Sequence, residues 1–252
     1  MRPLAALSTA DAVLSLRVRY RQEMNCQIVH DSIHRREGWA LTYAVTLGGC
    51  IAGFGSVAIG GPWKDKPTVF EFYVLPEHRG RAFDVFEALL SASGARFVEI
   101  QSSDVLLTVM LHTYARDISS ESIVFHDALT TTLPSRGAAM RAVTTLEETR
   151  MCIAQRQGGC ECVLQLDDDA VATGGILFHY NVPYGDIYMD VREPFRRRGL
   201  GAYLVQELKR FAYELGSIPA ARCNPSNTAS RRTLQKAGFV PFAHILNGSI
   251  AE

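Results

Sequence analysis

Residues 189 to 202 read Met189-Asp190-Val191-Arg192-Glu193-Pro194-Phe195-Arg196-Arg197-Arg198-Gly199-Leu200-Gly201-Ala202, and their order decides the fold. The alternating apolar residues Ile187, Met189 and Val191 predict a strand. After Pro194 comes Arg196-x-x-Gly199-x-Gly201, and Tyr203 to Leu215 then show helical periodicity, with Leu204, Leu208 and Phe211 on one face. Strand, glycine turn and helix in that order bring unpaired backbone N–H groups and the positive end of a helix dipole to one point, which suits phosphate oxygens. Glycine lets the backbone approach an anion with no Cβ in the way, and Arg196, Arg197 and Arg198 add charge beside it. Turns of this kind also carry glycine for steric reasons alone, so the rest of the chain must decide.

The chain has 252 residues, 47% of them hydrophobic, enough for one large core or two ordinary ones. Basic and acidic residues balance at 26 each, so no overall field draws nucleic acid or an anionic membrane, and neither is an expected partner. No apolar run reaches about 18 residues, and Met1-Arg2-Pro3-Leu4 does not begin a secretory signal, which makes the cytoplasm the expected location. The six cysteines, Cys26, Cys50, Cys152, Cys160, Cys162 and Cys223, lack paired CxxC spacing. Cys160-x-Cys162 on a strand points both thiols to one face, but reduced, partly buried thiols are the simpler reading, and no metal is expected.

Leu14 to Ile33 is written as a helix, with Leu16, Tyr20, Met24 and Ile28 on a common face and Ser8 or Asp11 as caps. Trp39 to Leu47, a Gly48-Gly49 turn and Cys50 to Ile59 read as a hairpin. There follow a loop from Gly60 to Lys66, a strand Thr68 to Val74, a turn at Arg79 to Ala82, a helix Phe83 to Ser93, a strand Phe97 to Gln101 and a helix Val105 to Tyr114. Short strands are expected at Ile123 to Phe125 and Leu129 to Leu133, then a linker at Pro134-Ser135-Arg136-Gly137. The same order resumes: a strand Ala139 to Val143, a short helix near Leu146 to Ala154, and a hairpin of Cys160 to Leu166 and Val171 to Phe178. The focal strand, turn and helix come next, then a strand Ile218 to Cys223, a helix Thr228 to Lys236 and a last strand after Gly238-Phe239.

Aligning Val74 with Val191 places Arg79 on Arg196, Ala82 on Gly199 and Asp84 on Gly201, at a constant offset of 117 residues. The repeated order of elements marks an internal duplication, with domains at 1–134 and 138–252.

Val191-x-x-Pro194-Phe195-Arg196-Arg197-Arg198-Gly199-Leu200-Gly201 resembles the pyrophosphate-binding signature of the GNAT superfamily of acyl-CoA-dependent N-acyltransferases. Asn224-Pro225-x-Asn227-x-x-Ser230 with Lys236-Ala237-Gly238-Phe239 resembles the second signature of that family, where an Asn and the following helix meet the pantetheine arm. The resemblance is strongest over Ala139 to Asn247. It implies an α/β (α+β) chain of two tandem GNAT-like units, each a mixed, mostly antiparallel central sheet flanked by helices. It also implies acetyl-CoA as co-substrate. Arg197, Arg198, Gly199, Gly201 and Ala202 are then expected to cradle the pyrophosphate, the Arg196 to Arg198 side chains to screen it, Met189 and Val191 to bond the arm, and Asn227 to cap the groove or the helix from Thr228.

Rival uses of the turn fit less well. A Rossmann site needs Gly-x-Gly-x-x-Gly opening a βαβ unit, which is absent here. A nucleic-acid patch needs interleaved aromatics and a basic field. In the first half, Val74-Leu75-Pro76-Glu77-His78-Arg79 keeps the approach to the turn, but Ala82 and Asp84 replace the glycines and oppose an anion through a Cβ and a like charge. That half is expected to be degenerate and structural.

Acyl transfer to an amine needs a base, because an amine with a pKa of about 10 is mostly protonated at neutral pH. Asp186 lies nearest the place where the family keeps a catalytic Glu, one residue out of register, so that a bulge is expected to aim it; Asp190 and Tyr188 share its face. The acid of the family, a Tyr seven residues after the Asn, is replaced by Leu234. A thiol of pKa about 8.5 leaves as thiolate at pH 7 for only about 2 kcal/mol, so the loss is tolerable; His179 and Tyr180 stand near the end of the preceding strand as substitutes. The expected activity is transfer of an acetyl group to a primary amine by direct attack in a ternary complex, with a small-molecule or peptide acceptor and a monomeric or homodimeric protein. The alternative is a non-catalytic acyl-CoA-binding sensor or scaffold. The stretch Thr144 to Gly159 is expected to hold one short helix and leave the acceptor side open.

Overall fold

Alternating apolar strands separated by glycine turns and amphipathic helices fold into two compact units, one of residues 1–121 with 243–252 and one of residues 122–242. The structure is a computed structural model and describes residues 1–25, 27–143 and 160–251. The short helix expected near Leu146 to Ala154 lies outside the described residues.

Unit 1 runs β1 (Pro3–Ser8), α1 (Leu14–Met24), α2 (His30–His34), β2 (Ala40–Leu47), β3 (Cys50–Ala58), β4 (Thr68–Val74), α3 (Ala82–Ser93), β5 (Phe97–Gln101), α4 (Val105–Tyr114) and the start of β6 (Ala115–Asp127). Unit 2 holds the end of β6, then β7 (Ala138–Ala142), β8 (Cys160–Leu166), β9 (Asp169–Leu177), β10 (Tyr184–Val191), α5 (Leu200–Glu214), β11 (Ile218–Cys223), α6 (Thr228–Lys236) and the start of β12 (Phe239–Ile250). In unit 1 the strands pair in the order β1-β2-β3-β4-β5-β12, and in unit 2 in the order β7-β8-β9-β10-β11-β6. Only β4 with β5 and β10 with β11 run parallel among the described pairings. The last strand of each repeat therefore completes the sheet of the other: β6 pairs with β11 at 123–126, and β12 pairs with β5 at 245–249. The sequence division at 134 and 138 falls in the linker, whereas the chain changes unit inside β6 and again inside β12.

The duplication is visible in atoms as well as in order. Arg79 Nε donates to the Val74 carbonyl at 3.2 Å, and Arg196 Nε donates to the Val191 carbonyl at 2.8 Å, the same bond at the aligned positions. Each arginine thereby ties off the end of the strand that precedes its turn. The helix that follows packs on the sheet in both units: Val85, Phe86 and Leu89 of α3, and Leu204, Val205 and Leu208 of α5, are fully buried. Burying each of these side chains contributes about 1.5–3 kcal/mol.

Several boundaries differ from the sequence reading. The helix expected over Leu14 to Ile33 stops at Met24 because Asn25 turns left-handed (φ 42°) and caps it, donating its N–H to the Arg21 carbonyl. Leu16, Tyr20 and Ile28 still share one cluster, with Met24 against it, since burial and not helix continuity places them. Neither Ser8 nor Asp11 caps α1 by its side chain; Ser8 ends β1, an unexpected edge strand whose exposed Leu4 and Leu7 hide its pattern. No strand forms at 129–133. Thr131 Oγ1 and the Leu133 N–H instead donate to Gln206 Oε1 at 2.9 and 2.6 Å, so a side chain of α5 takes the place of a ladder.

Candidate functional site

Strand β10 ends at Val191, a 3₁₀ turn covers Glu193–Phe195, and the backbone then turns left-handed at Arg197 (φ 62°) and Gly199 (φ 82°) before α5 starts. The first bond of that helix runs from the Tyr203 N–H to the Gly199 carbonyl at 3.2 Å, so the N–H groups of Leu200, Gly201 and Ala202 have no carbonyl one turn earlier. The two glycines have different reasons. Gly199 is set by its φ, since an added Cβ would meet nothing closer than 3.6 Å. Gly201 is set by packing, since a Cβ there would lie 3.2 Å from Val191 Cγ2 and 3.4 Å from Met189 Sδ.

Cations gather at this turn, and two of them escaped sequence reasoning. Arg136 Nε and Lys236 Nζ lie 3.6 and 3.9 Å from the place a Cβ on Gly199 would take. Arg136 comes from the linker and Lys236 from the last turn of α6, so no local motif ties either to the turn. The three consecutive arginines divide their work. Arg196 is bound back to Val191 and lies 3.5 Å from Asp190, Arg198 stacks over the Phe195 ring at 5.3 Å, and Arg197 carries the left-handed backbone.

Beside the turn the sheet opens. Strands β10 and β11 pair only at Tyr184, Gly185 and Asp186 against Ile218, Pro219 and Ala220, then diverge. Because the Arg192 N–H bonds the Val171 carbonyl of the β9 side, alternation turns the backbone groups of Asp190 and Tyr188 toward β9 and those of Met189 and Val191 into the opening. Asn227 caps α6, accepting the Ser230 N–H at 3.0 Å. Leu234, where the family has its Tyr, is buried in the core of unit 2. Burial pushes the Cys223 thiol at the end of β11 up, against a bond with Ser230 and the Arg231 charge.

The three acidic or phenolic candidates on β10 meet different surroundings. Asp190 is exposed and pairs with Arg196. Tyr188 is half-buried on the same face. Asp186 is only 4% exposed. Its Oδ2 lies 3.1 Å from His179 Nε2 and 3.5 Å from Arg222 Nε, and Arg222 reaches over the Tyr180 ring at 5.8 Å. No bulge was needed: β10 and β9 stay in unbroken register from Asp186 to Val191. The cluster lies where β10 and β11 part, on the sheet face opposite α5.

Unit 1 fills the equivalent positions differently. Its strands also part, β4 and β5 pairing only at Thr68 and Val69. At the aligned turn, however, Arg81 is committed to an ion pair with Asp84 and to the Met1 carbonyl, and Ala82 is buried. On the sheet, Glu71 is fully buried among Arg17 (3.2 Å), His30 (3.1 Å), His34 (2.8 Å) and Ser56 (2.8 Å). Burial opposes its ionisation, but the bonds from His30 and His34 and the Arg17 charge hold its carboxyl well below the usual range.

Residues 126–239 match the family model described as the acetyltransferase (GNAT) family. A search of curated proteins returns no match. Among solved structures, the chain is similar to an acetyltransferase of the GNAT family from Colwellia psychrerythraea, at 13% identity and a TM-score of 0.74, covering 98% of this chain and 99% of that one. It is also similar to a GCN5-related N-acetyltransferase from Sphaerobacter thermophilus, at 16% identity and a TM-score of 0.62, covering 100% and 96%. A tandem GNAT protein from the clavulanic acid biosynthesis pathway aligns at 12% identity and a TM-score of 0.59, covering 99% of each chain. Residues 126–239 therefore match the acetyltransferase (GNAT) family, and the whole chain has the fold of a tandem GNAT protein.

Proposed function

We propose that unit 2 transfers an acetyl group from acetyl-CoA to a primary amine by direct attack in a ternary complex, and that unit 1 is a structural copy without a cofactor site. The observation that carries this reading is the left-handed turn at Arg197 and Gly199, with three unpaired N–H groups behind it and Arg136 and Lys236 converging on it, beside an opened strand edge. An acyl-CoA needs an anion cradle and an edge for its amide arm, and the two lie next to each other here. Bound acetyl-CoA supplies an acetyl group activated as a thioester. Within the protein, the N–H groups of Leu200, Gly201 and Ala202, with that of Gly199 ahead of them, hold phosphate oxygens, Arg197, Arg198, Arg136 and Lys236 balance their charge, and Arg196 braces the turn. Met189 and Val191 bond the arm through their backbones, and the Met189 N–H is the oxyanion donor, since the Asp190 N–H faces β9. Asn227 orders the start of α6 at the edge of the opening. Of the three carboxylate or phenol candidates, Asp186 belongs to the polar cluster at the mouth of the opening, while Asp190 serves the turn through Arg196. Direct attack is favoured over an acyl-cysteine because the Cys223 thiol is kept protonated. The acceptor is a small-molecule or peptide amine, and the balanced charge of the chain fits a protein acting in the cytoplasm without nucleic acid or membrane.

Gly201→Asp is a poor probe, because Val191 and Met189 crowd that site. The exposed pair Arg136→Glu and Lys236→Glu tests the cradle without touching the core. Each charge-assisted bond contributes about 1.5–3 kcal/mol, so the double variant should weaken acetyl-CoA binding at least tenfold by calorimetry and slow thiol release with an amine panel. Unchanged affinity would refute the placement of the cofactor. Tight binding by the wild type without thiol release on any amine would instead favour the acyl-CoA sensor.

A further inference from the structure

We propose that His179 is the base of the transfer and Asp186 its positioning partner, an inference that rests on the acetyltransferase reading above and refines it. His179 follows β9, and its side chain is only 11% exposed. His179 Nε2 lies 3.1 Å from Asp186 Oδ2 and 3.5 Å from Arg222 Nη2; the carboxylate is the nearer of the two, so Nε2 carries the proton toward it, and the lone pair is left on Nδ1. Nδ1 is buried and has no hydrogen-bond partner among the described residues. An imidazole held by a carboxylate through one nitrogen with the other left open is the arrangement of a base and its orienter. Arg222 Nε lies 3.5 Å from Asp186 Oδ2 and places a positive charge beside the carboxylate, and the Tyr180 ring meets the imidazole edge-on at 4.8 Å.

Position supports the assignment. Asp186 is the last β10 residue paired with β11, so the dyad stands at the point of the opening, below the Met189 backbone that bonds the arm. In the reaction, the acceptor ammonium gives one proton to His179 Nδ1. The freed amine lone pair forms the C–N bond as the thioester C–S bond breaks, the bonding pair leaving on sulfur. A second proton passes from that nitrogen to the sulfur, and His179 returns its own to solvent. Asp186 touches no substrate; it holds the ring and balances the charge that the ring gains.

The test uses the full-length protein labelled with ¹⁵N-histidine, with the His179 signals assigned by their loss in His179→Gln. The wild type should show an unprotonated Nδ1 and a protonated Nε2, and Asp186→Asn should abolish that preference, which a merely structural carboxylate would not control. With acetyl-CoA and the most active amine of a panel, His179→Gln should lose at least about 100-fold in kcat. Its acetyl-CoA affinity by calorimetry and its circular dichroism should stay at wild-type values. A proton on Nδ1 in the wild type, or wild-type kcat in His179→Gln, overturns the assignment and leaves the acetyltransferase reading standing. A wild type that releases no thiol with any primary amine overturns both.

Discussion

Asp104 pays for its place in unit 1, and replacing it with Asn should stabilise that unit. The residue is 3% exposed, caps α4 by accepting the Leu107 N–H at 2.9 Å, and accepts the Tyr20 hydroxyl at 2.9 Å. Burial outweighs both bonds and raises its pKa from 3.8 to about 6. A carboxyl with a raised folded-state pKa binds its proton earlier in the folded chain than in the unfolded one. Stability therefore grows as pH falls from about 6 toward 3.8, and the ionised group is a net cost at neutral pH. A shift of roughly two units, at about 1.4 kcal/mol each, sets that cost near 3 kcal/mol at most. Asparagine keeps the cap oxygen and offers an amide to Tyr20, so the cost disappears while the geometry stays.

Both tryptophans, Trp39 and Trp63, lie in unit 1, so their fluorescence in urea reports that unit. With an m-value of about 1–3 kcal/mol/M, Asp104→Asn should raise the midpoint by up to about 1–3 M at pH 7.5. The gain should fall to about half at pH 5, where the wild-type carboxyl is mostly protonated. A midpoint unchanged or lowered at pH 7.5, or a gain that does not shrink toward pH 5, would refute the claim that burial decides the ionisation of Asp104.

Other perturbations have equally definite outcomes. Buried Lys209 bonds the Leu129 and Ala237 carbonyls at 2.8 and 2.7 Å and pairs with half-buried Asp127 at 2.5 Å; Lys209→Met should destabilise unit 2 by about 3–5 kcal/mol, read as lost hydrogen-exchange protection in α5. A Cβ on Gly174 would lie 2.9 Å from both Leu208 Cδ1 and the Tyr188 carbonyl, so Gly174→Ala should cost about 1–3 kcal/mol by the same measurement. Burial lowers the pKa of His30 and its partners lower that of Glu71, so both contribute stability that is present above their unfolded values. Tryptophan fluorescence of Asp104→Asn, free of the opposing titration, should show unit 1 losing stability below about pH 6.5 and more steeply below about 4.5.

Local chemistry made much of the fold legible. The Gly48-Gly49 hairpin follows from two residues that accept positive φ, here 62° and 87°. The bounds of β4, β5, α4, β11 and α6 follow from periodicity and turn residues. What stayed hidden depends on partners far along the chain. Nothing near Leu129 announces that Gln206 will bond the segment, and nothing in β6 or β12 says which sheet each completes. At the site, the turn was written in its own glycines. The approach of Arg136 and Lys236 to Gly199, and of Arg222 to Asp186, exists only once the chain has folded. Alternation gives Asp186 a face but not what covers it.

The two repeats share a skeleton and differ in what surrounds the buried carboxylate of the aligned strand. On β4, Glu71 receives an arginine, two histidines and a serine. Both Glu71 oxygens are thereby committed to partners within the unit. At the neighbouring turn, Asp84 occupies Arg81, and Ala82 fills the space a glycine would leave. On β10, by contrast, Asp186 orients a ring whose second nitrogen is buried and unbonded among the described residues, and the turn presents donors to solvent. Saturated networks rigidify a fold, whereas chemistry needs a group left short of a partner that only a substrate can supply. On the proposed function, the same duplication yields one unit whose buried carboxylate serves stability and another whose carboxylate orients a base.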